Sequence, residues 1–193
     1  MNLRDAVHKL AKQDIKKETK LSFDWYQKNV RDAAARMSTQ KFLGDNVGHQ
    51  ISKGGITPGD MIFYFYSPKH KDTLPYYDTS PLVMPFSISE DGKSFYGLNL
   101  HYLHPVVRAG LLEDLMVFVN NDKLSRGTKI KASWSMIKRA AGSGVAAHCV
   151  KQYLFTHVKS QVVVIPPKEW KYVVWLPLCT FVKAENETVW KDN

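Results

Sequence analysis

Several features are scarce or missing in this sequence, and each absence narrows what the chain can be. Only two of its 193 residues are cysteine, Cys149 and Cys179. A disulfide framework is therefore excluded, and we expect a reducing compartment. No apolar run is long enough to cross a bilayer, and the first residues do not predict a secretory signal. Hydrophobic residues still make up 44% of the chain, which predicts a folded globular protein.

Acidic residues are missing from one long segment. Residues 123–168 carry nine Lys or Arg and no Asp or Glu, while the whole chain has a net charge of +9. Such a segment attracts polyanions, chiefly nucleic acid, or an acidic protein surface. The alternative is a solvated basic face that pairs with acids elsewhere in the chain. The candidate polyanion-binding residues are Lys123, Arg126, Lys129, Lys131, Lys138 and Arg139.

Residues 1–43 predict an N-terminal helical extension. The second of its two helices begins at Ser22, a favourable N-cap, with Asp24 in the first turn. Both helices have narrow apolar faces that need another surface to cover them. The candidate partner-binding residues on the second helix are Phe23, Trp25, Tyr26, Val30 and Met37. The glycine-rich range 44–59 is predicted to be a linker.

Residues 60–184 predict an α+β core domain, followed by a polar tail at 185–193. Aromatic and β-branched runs at 61–66, 81–86 and 94–100 predict three strands. The last two are joined by a hairpin turn at Glu90–Lys93, because Asp-Gly accommodates positive φ. Three consecutive strands predict an antiparallel meander that curls into a small barrel with one face buried. Prolines at both ends of the middle strand predict a sheet edge.

The remainder of the core domain predicts helices and then further strands. A helix is expected to begin at Pro105, which suits the first helical position. Two more helices are expected at 133–141 and 145–159. Strands are then expected at 161–165, 169–176 and 179–183.

Motifs that carry chemistry are scarce. The histidine pairs His101/His104 and His148/His157 lack a third ligand at suitable spacing, so we expect no metal. No nucleophile motif, glycine-rich phosphate loop or paired-carboxylate signature is present. We therefore expect no catalytic residue, no cofactor and no small-molecule substrate. Six tyrosines favour core or interface positions over base stacking: Tyr64, Tyr66, Tyr76, Tyr77, Tyr96 and Tyr102.

Several motifs together resemble a family of small virion or packaging proteins of T4-like tailed bacteriophages, including cyanophages. They are Pro58-Gly59-Asp60-Met61-Ile62-Phe63-Tyr64, Tyr76-Tyr77-Asp78-x-x-Pro81-Leu82-Val83, Phe95-x-Gly97-Leu98-Asn99-Leu100-His101-Tyr102-Leu103-x-Pro105, Glu169-Trp170 and Val189-Trp190-Lys191. The resemblance covers most of the chain. It implies one of two roles, tail or neck structure or protection of DNA ends, and brings no catalytic residues with it.

A weaker resemblance covers only residues 58–100. The order of strand, loop, Pro-Leu-Val strand and hairpin is similar to the SH3-like barrel of the MazF-type toxin ribonucleases. Those enzymes depend on an Arg and a Ser or Thr after the first strand, where this chain has Ser67 and Lys69 without a clear Arg. The resemblance therefore implies the barrel geometry and leaves RNA cleavage as a remote alternative.

The leading hypothesis is a non-enzymatic structural component of a tailed phage particle, in the tail, baseplate or neck. Its partners would be other phage structural proteins, with no membrane involved. It would be found in the virion and, during assembly, in the host cytoplasm. The alternative is a DNA-binding phage protein that binds or protects genome ends.

Overall fold

The structure, a computed structural model, describes residues 49–119, 123, 125–142, 146–173 and 178–191. In these ranges the chain forms eight β-strands and four α-helices, which confirms the expected α+β class. The strands are β1 (His49–Ile51), β2 (Met61–Phe63), β3 (Tyr77–Asp78), β4 (Leu82–Ile88), β5 (Ser94–Asn99), β6 (Val150–Leu154), β7 (Val162–Ile165) and β8 (Phe181–Val182). The helices are α1 (Pro105–Val119), α2 (Arg126–Gly142), α3 (Trp170–Val173) and α4 (Asn186–Lys191).

Six strands form one antiparallel sheet in the order β1-β7-β2-β4-β5-β6, and β3 pairs separately with β8. Among the described residues, β1 and β6 are the two edges and do not pair with each other. The sheet is therefore open, and the expectation of a small closed SH3-like barrel is wrong. The meander β2-β4-β5 is widened on one side by β7 and on the other by β6, rather than curling onto itself.

Side chains alternate between two buried clusters on the two faces of this sheet, as strand geometry requires. Leu82, Met84 and Leu98 belong to the first cluster, together with residues from all four helices. Val83 and Phe95 belong to the second cluster. Both faces of the sheet are therefore buried, and the expectation of one buried face is wrong.

The β4–β5 hairpin forms where the sequence predicts it, and Gly92 has a φ of 63°. The expected edge position of β4 is wrong, because β4 lies between β2 and β5. Pro85 is tolerated there because the pairing register shifts between Pro85 and Ser87, and a bulge needs one ladder hydrogen bond fewer. Gly97 faces Val83 so closely that an added Cβ would collide with that side chain.

Two of the expected helices differ from the structure. Helix α2 begins at Arg126 instead of 133, because the Ser125 hydroxyl accepts a hydrogen bond from the backbone N–H of Thr128 at 3.2 Å and caps the helix. The expected helix at 145–159 is wrong, since Val150–Leu154 is β6 and pairs with β5. No helix in the described ranges is both long and apolar enough to cross a membrane.

The C-terminal part of the chain also departs from the sequence prediction. The strand expected at 169–176 is wrong over its described part, 169–173, because Pro167–Glu169 forms a 3-10 turn that leads into α3. Trp170 is buried there and donates its indole N–H to the carbonyl of Ile165 at 2.9 Å. The range 185–193, expected as a polar tail, contains α4 with Val189 fully buried.

The range 44–59, expected as a linker, contains β1.

Replacing Leu98 with alanine tests the assignment of the first cluster. Leu98 is fully buried, so the truncation should lower the free energy of unfolding by about 2–5 kcal/mol through lost burial and a residual cavity. Tyr96→Ala, on the same strand at a side chain that is 38% exposed, is the matched control and should cost much less. Urea denaturation of both variants gives the comparison, and equal losses would contradict the assigned burial.

Candidate nucleic-acid interface

The predicted site residues fall into two groups in the structure. The candidate partner-binding residues Phe23, Trp25, Tyr26, Val30 and Met37 lie outside the described residues. Of the six candidate polyanion-binding residues, Lys123 is exposed, and the other five lie on α2. They are Arg126, Lys129, Lys131, Lys138 and Arg139.

One face of α2 is a basic stripe, which we define as Lys131, Lys138 and Arg139 with the small polar residues Thr128 and Ser135. All five side chains are exposed, and their spacing of three, four and seven residues aligns them on one side of a helix. Lys131 and Lys138 are two turns apart, about 10.5 Å along the axis.

The opposite face of α2 anchors the helix to the sheet. Ile137 is fully buried in the first cluster, and Trp134 donates its indole N–H to the carbonyl of Phe86 on β4. The ammonium of Lys138 lies 5.0 Å from the centre of the Trp134 ring. Because the inner face is held by packing, the basic stripe is presented on a fixed helix.

In the ranges that the structure describes, no acidic side chain is paired with a cation of the stripe. Within the described part of the chain, none of Lys131, Lys138 and Arg139 forms an ion pair. The acid-free segment therefore presents net positive charge at the surface of α2. Such a surface attracts the phosphate backbone of nucleic acids without reading base sequence.

A second feature is a pocket of about 510 Å³. We call it the tyrosine pocket, because five of its lining residues are Tyr66, Tyr76, Tyr77, Tyr102 and Tyr153. Its basic lining residues are Lys69, His70 and Lys151. The prediction of core or interface positions for the tyrosines is confirmed for Tyr64, Tyr66 and Tyr102, which are buried. Tyr76 and Tyr77 are half-buried instead, and Tyr96 is exposed.

A buried polar network centred on Asp78 adjoins the tyrosine pocket. One carboxylate oxygen of Asp78 accepts from the backbone N–H of Ser80 at 2.9 Å. The other accepts from the Asn99 amide at 3.1 Å and lies 2.7 Å from Nδ1 of His101. The Asn99 amide also donates to the Tyr153 hydroxyl at 3.0 Å. The network fixes two residues of the pocket wall, Asp78 and Asn99, by joining β3 to β5.

Arg108 of α1 supplies positive charge near this network. Its guanidinium donates to the carbonyl of Leu103 at 3.1 Å, and burial lowers its pKa to about 10. The side chain therefore remains charged at neutral pH and offsets the buried carboxylate of Asp78.

The positions of the histidines and of Cys149 bear on whether they could bind a metal or react. In the described ranges, no group of three or more His, Cys, Asp or Glu side chains is arranged to hold a metal ion. The expectation that His148 and His157 share a helix is wrong, since β6 lies between them. Cys149 is fully buried, and burial raises the pKa of its thiol to about 12, so it stays protonated at neutral pH.

Sequence patterns predicted the basic residues of the stripe but not their alignment on one helix face, because a helix was expected only at 133–141, and they did not predict the tyrosine pocket. The stripe lies on a single helix within the acid-free segment, so its residues are neighbours in the sequence. The pocket brings together residues near Tyr77, Asn99 and Lys151, which are far apart in the chain.

The described residues thus define an α+β protein with a basic helical surface suited to a polyanion. Over residues 2–192 the chain matches the family of the phage T4 terminal DNA protecting protein, and it belongs to that family. This confirms the resemblance to T4-like phage proteins, while the similarity to MazF-type barrels is not shown. No curated protein matches the chain. No solved structure matches it either.

Among the functions expected from the sequence, the family match supports the alternative, protection of genome ends, better than the leading hypothesis of a tail, baseplate or neck component. It likewise supports DNA as a partner. The family match gives no support for other phage structural proteins as partners.

Proposed function

We propose that this phage protein binds the ends of double-stranded phage DNA and shields them from exonucleases. The observation that carries the proposal is the basic stripe on α2, in a chain whose family is described by terminal DNA protection. An α-helix that carries unpaired cations on one exposed face is a suitable surface for a phosphate backbone.

Binding through the stripe would depend on counterion release. Each phosphate that a lysine or arginine neutralises releases a condensed cation, and the binding constant then falls with salt at a log–log slope of about −0.9 per phosphate. This contribution does not depend on base sequence. A protein that protects DNA ends needs this property if the ends differ in sequence.

A bound protein shields a DNA end by covering it, which requires no chemical reaction, so the proposal includes no enzymatic activity. The protein would cover the terminal base pairs and deny them to a nuclease. We place this action in the virion and in the host cytoplasm. Contacts with other phage structural proteins, through Phe23, Trp25, Tyr26, Val30 and Met37, are a second part of the proposal.

An exonuclease assay tests the proposal. Purified protein is added to linear duplex DNA, and digestion by an end-dependent exonuclease is followed with time. We expect full-length DNA to persist, with protection that saturates in proportion to the number of ends. Unlabelled blunt duplexes should compete for the protein far better than duplexes of equal length closed by hairpins at both ends.

The outcome that would contradict the proposal is equally clear. If protection scales with total DNA length rather than with the number of ends, or if closed duplexes compete as well as open ones, the protein coats DNA without recognising ends. If linear DNA is digested at the same rate with and without the protein, the proposal fails entirely.

A further inference from the structure

The tyrosine pocket has the size and composition of a ligand site. Its volume of about 510 Å³ falls within the range of about 300–1,000 Å³ that is typical of small-molecule sites. Its walls combine aromatic rings with a few polar and basic groups, which is the usual composition of such sites. The chemistry of this lining therefore indicates a ligand with a flat ring and a negative charge.

Tyr77 is the lining tyrosine whose ring is available for stacking. The other four are already packed against rings: Tyr66 lies 5.0 Å from Tyr153, and Tyr76 lies 6.1 Å from Tyr102, between ring centres. Tyr77 is half-buried, and within the described residues its ring contacts no other aromatic ring. Its backbone is held by pairing with Val182 of β8, so the ring is positioned without being covered.

The basic residues of the pocket differ in whether their side chains already interact with other groups of the protein. Lys151 is half-buried, donates to the carbonyl of His148 at 2.7 Å and lies 4.2 Å from the centre of the Tyr102 ring. Lys69 is exposed and forms no ion pair or side-chain hydrogen bond with any part of the chain that the structure describes. It is therefore available for an anion, and the exposed His70 stands next to it.

Asp78, the one acidic residue that lines the pocket, has little effect on the preference of the pocket for an anion. Asp78 is 4% exposed, and both of its carboxylate oxygens are engaged by Ser80, Asn99 and His101. A carboxylate that is hydrogen-bonded within the protein offers little to a ligand. Lys69, His70 and Lys151 leave the lining basic overall.

We propose that the tyrosine pocket holds the terminal nucleotide of a DNA strand, with its base stacked on Tyr77 and its phosphate bound by Lys69. This inference rests on the proposed function and adds to it the part of the protein that distinguishes an end from the interior of a duplex. An internal base is paired and stacked on both sides, and extruding it costs a few kcal/mol. A terminal base lacks one stacking neighbour and reaches a one-nucleotide pocket more readily.

The test uses blunt duplexes in which the fluorescent base analogue 2-aminopurine replaces either a terminal or an internal base. Stacking on tyrosine should change the fluorescence of the terminal probe when the full-length protein binds, and leave the internal probe unchanged. Tyr77→Ala should abolish that change and weaken binding to open ends by about 5- to 150-fold, the range for loss of one base–aromatic stack. Tyr77→Trp should preserve both.

Two matched controls accompany these variants. Tyr96→Ala removes an exposed tyrosine that does not line the pocket, and it should leave the terminal signal intact. Lys69→Gln should reduce the salt slope of end binding by about one phosphate, whereas Lys93→Gln, in the exposed β4–β5 turn, should not. Thermal unfolding of Tyr77→Ala and Tyr77→Trp checks that a loss of signal is not a loss of fold.

The outcomes separate the two proposals. If the protein protects ends but the terminal probe is silent, or if Tyr77→Ala and Tyr96→Ala behave alike, the pocket inference is overturned while the proposed function stands. If free thymidine monophosphate displaces the probe at the same concentration as a DNA end, the pocket is a free-nucleotide site and the inference is also overturned. If wild-type protein neither binds nor protects linear DNA, both proposals fail.

Discussion

Replacing Lys131 and Arg139 with glutamate should weaken binding to linear duplex DNA by at least about 30-fold at about 0.15 M salt. The estimate follows from the loss of two phosphate contacts at a slope of about −0.9 each, and that slope should become shallower by about 1.8. Both side chains are exposed, so thermal stability should change little. Lys138 is left intact, because it covers the Trp134 ring and its loss would also affect packing.

The control for this double reversal changes net charge by the same amount at another place. Lys93 and Lys159 are exposed and lie outside α2, so Lys93→Glu with Lys159→Glu should reduce binding much less. Fluorescence anisotropy over a salt series measures both constants and both slopes. Equal weakening in the two double variants would mean that total charge attracts DNA and that the basic stripe has no special role.

Replacing Asp78 with alanine should lower the free energy of unfolding by about 3–5 kcal/mol, because several buried hydrogen-bond donors lose their acceptor at a cost of about 1–3 kcal/mol each. The change leaves the Ser80 N–H, the Asn99 amide and Nδ1 of His101 without their common acceptor in a region closed to water. It also removes the negative charge near buried Arg108. Because the Asn99 amide also donates to the Tyr153 hydroxyl, the wall of the tyrosine pocket should become less rigid in this variant.

Asp72→Ala is the matched control for this prediction, since Asp72 is exposed in the loop before β3. Its urea midpoint should stay close to that of the wild type. A loss below about 1 kcal/mol in Asp78→Ala would show that water or rearranged side chains replace the carboxylate easily. The network would then contribute little to holding β3 against β5.

Local sequence patterns predicted the parts of the fold that depend on neighbouring residues. The turn at Glu90–Lys93 and the start of α1 at Pro105 are confirmed, because Asp-Gly and an N-terminal proline act within a few residues. The segment 145–159 was wrong, because Val145, Cys149 and Tyr153 have helical spacing. Its β structure is set by pairing with β5, a tertiary contact that overrides local preference.

The same distinction applies to the candidate site. The basic residues of the stripe were predictable because the absence of acid over residues 123–168 is visible in the sequence itself, but their common helix face was not, since the helix was expected only at 133–141. Nothing local indicated that Tyr77, Lys69 and Lys151 share one pocket, since β6 was expected to be helical. The placement of β6 beside β5 brings Lys151 to that pocket, so the error in the fold also concealed the site.

The position of β7 has a consequence for how the protein is made. Val164 of β7 pairs with His49 of β1 on one side and with Ile62 of β2 on the other, although β7 is synthesised long after both. On the ribosome, β1 stays without its strand partner and β2 keeps one edge open until residue 165 has emerged. Pairings so distant in sequence form slowly, and exposed strand edges promote aggregation. A nascent chain that stalls before β7 would therefore be a poor folding unit, and the pace of late translation would govern its yield.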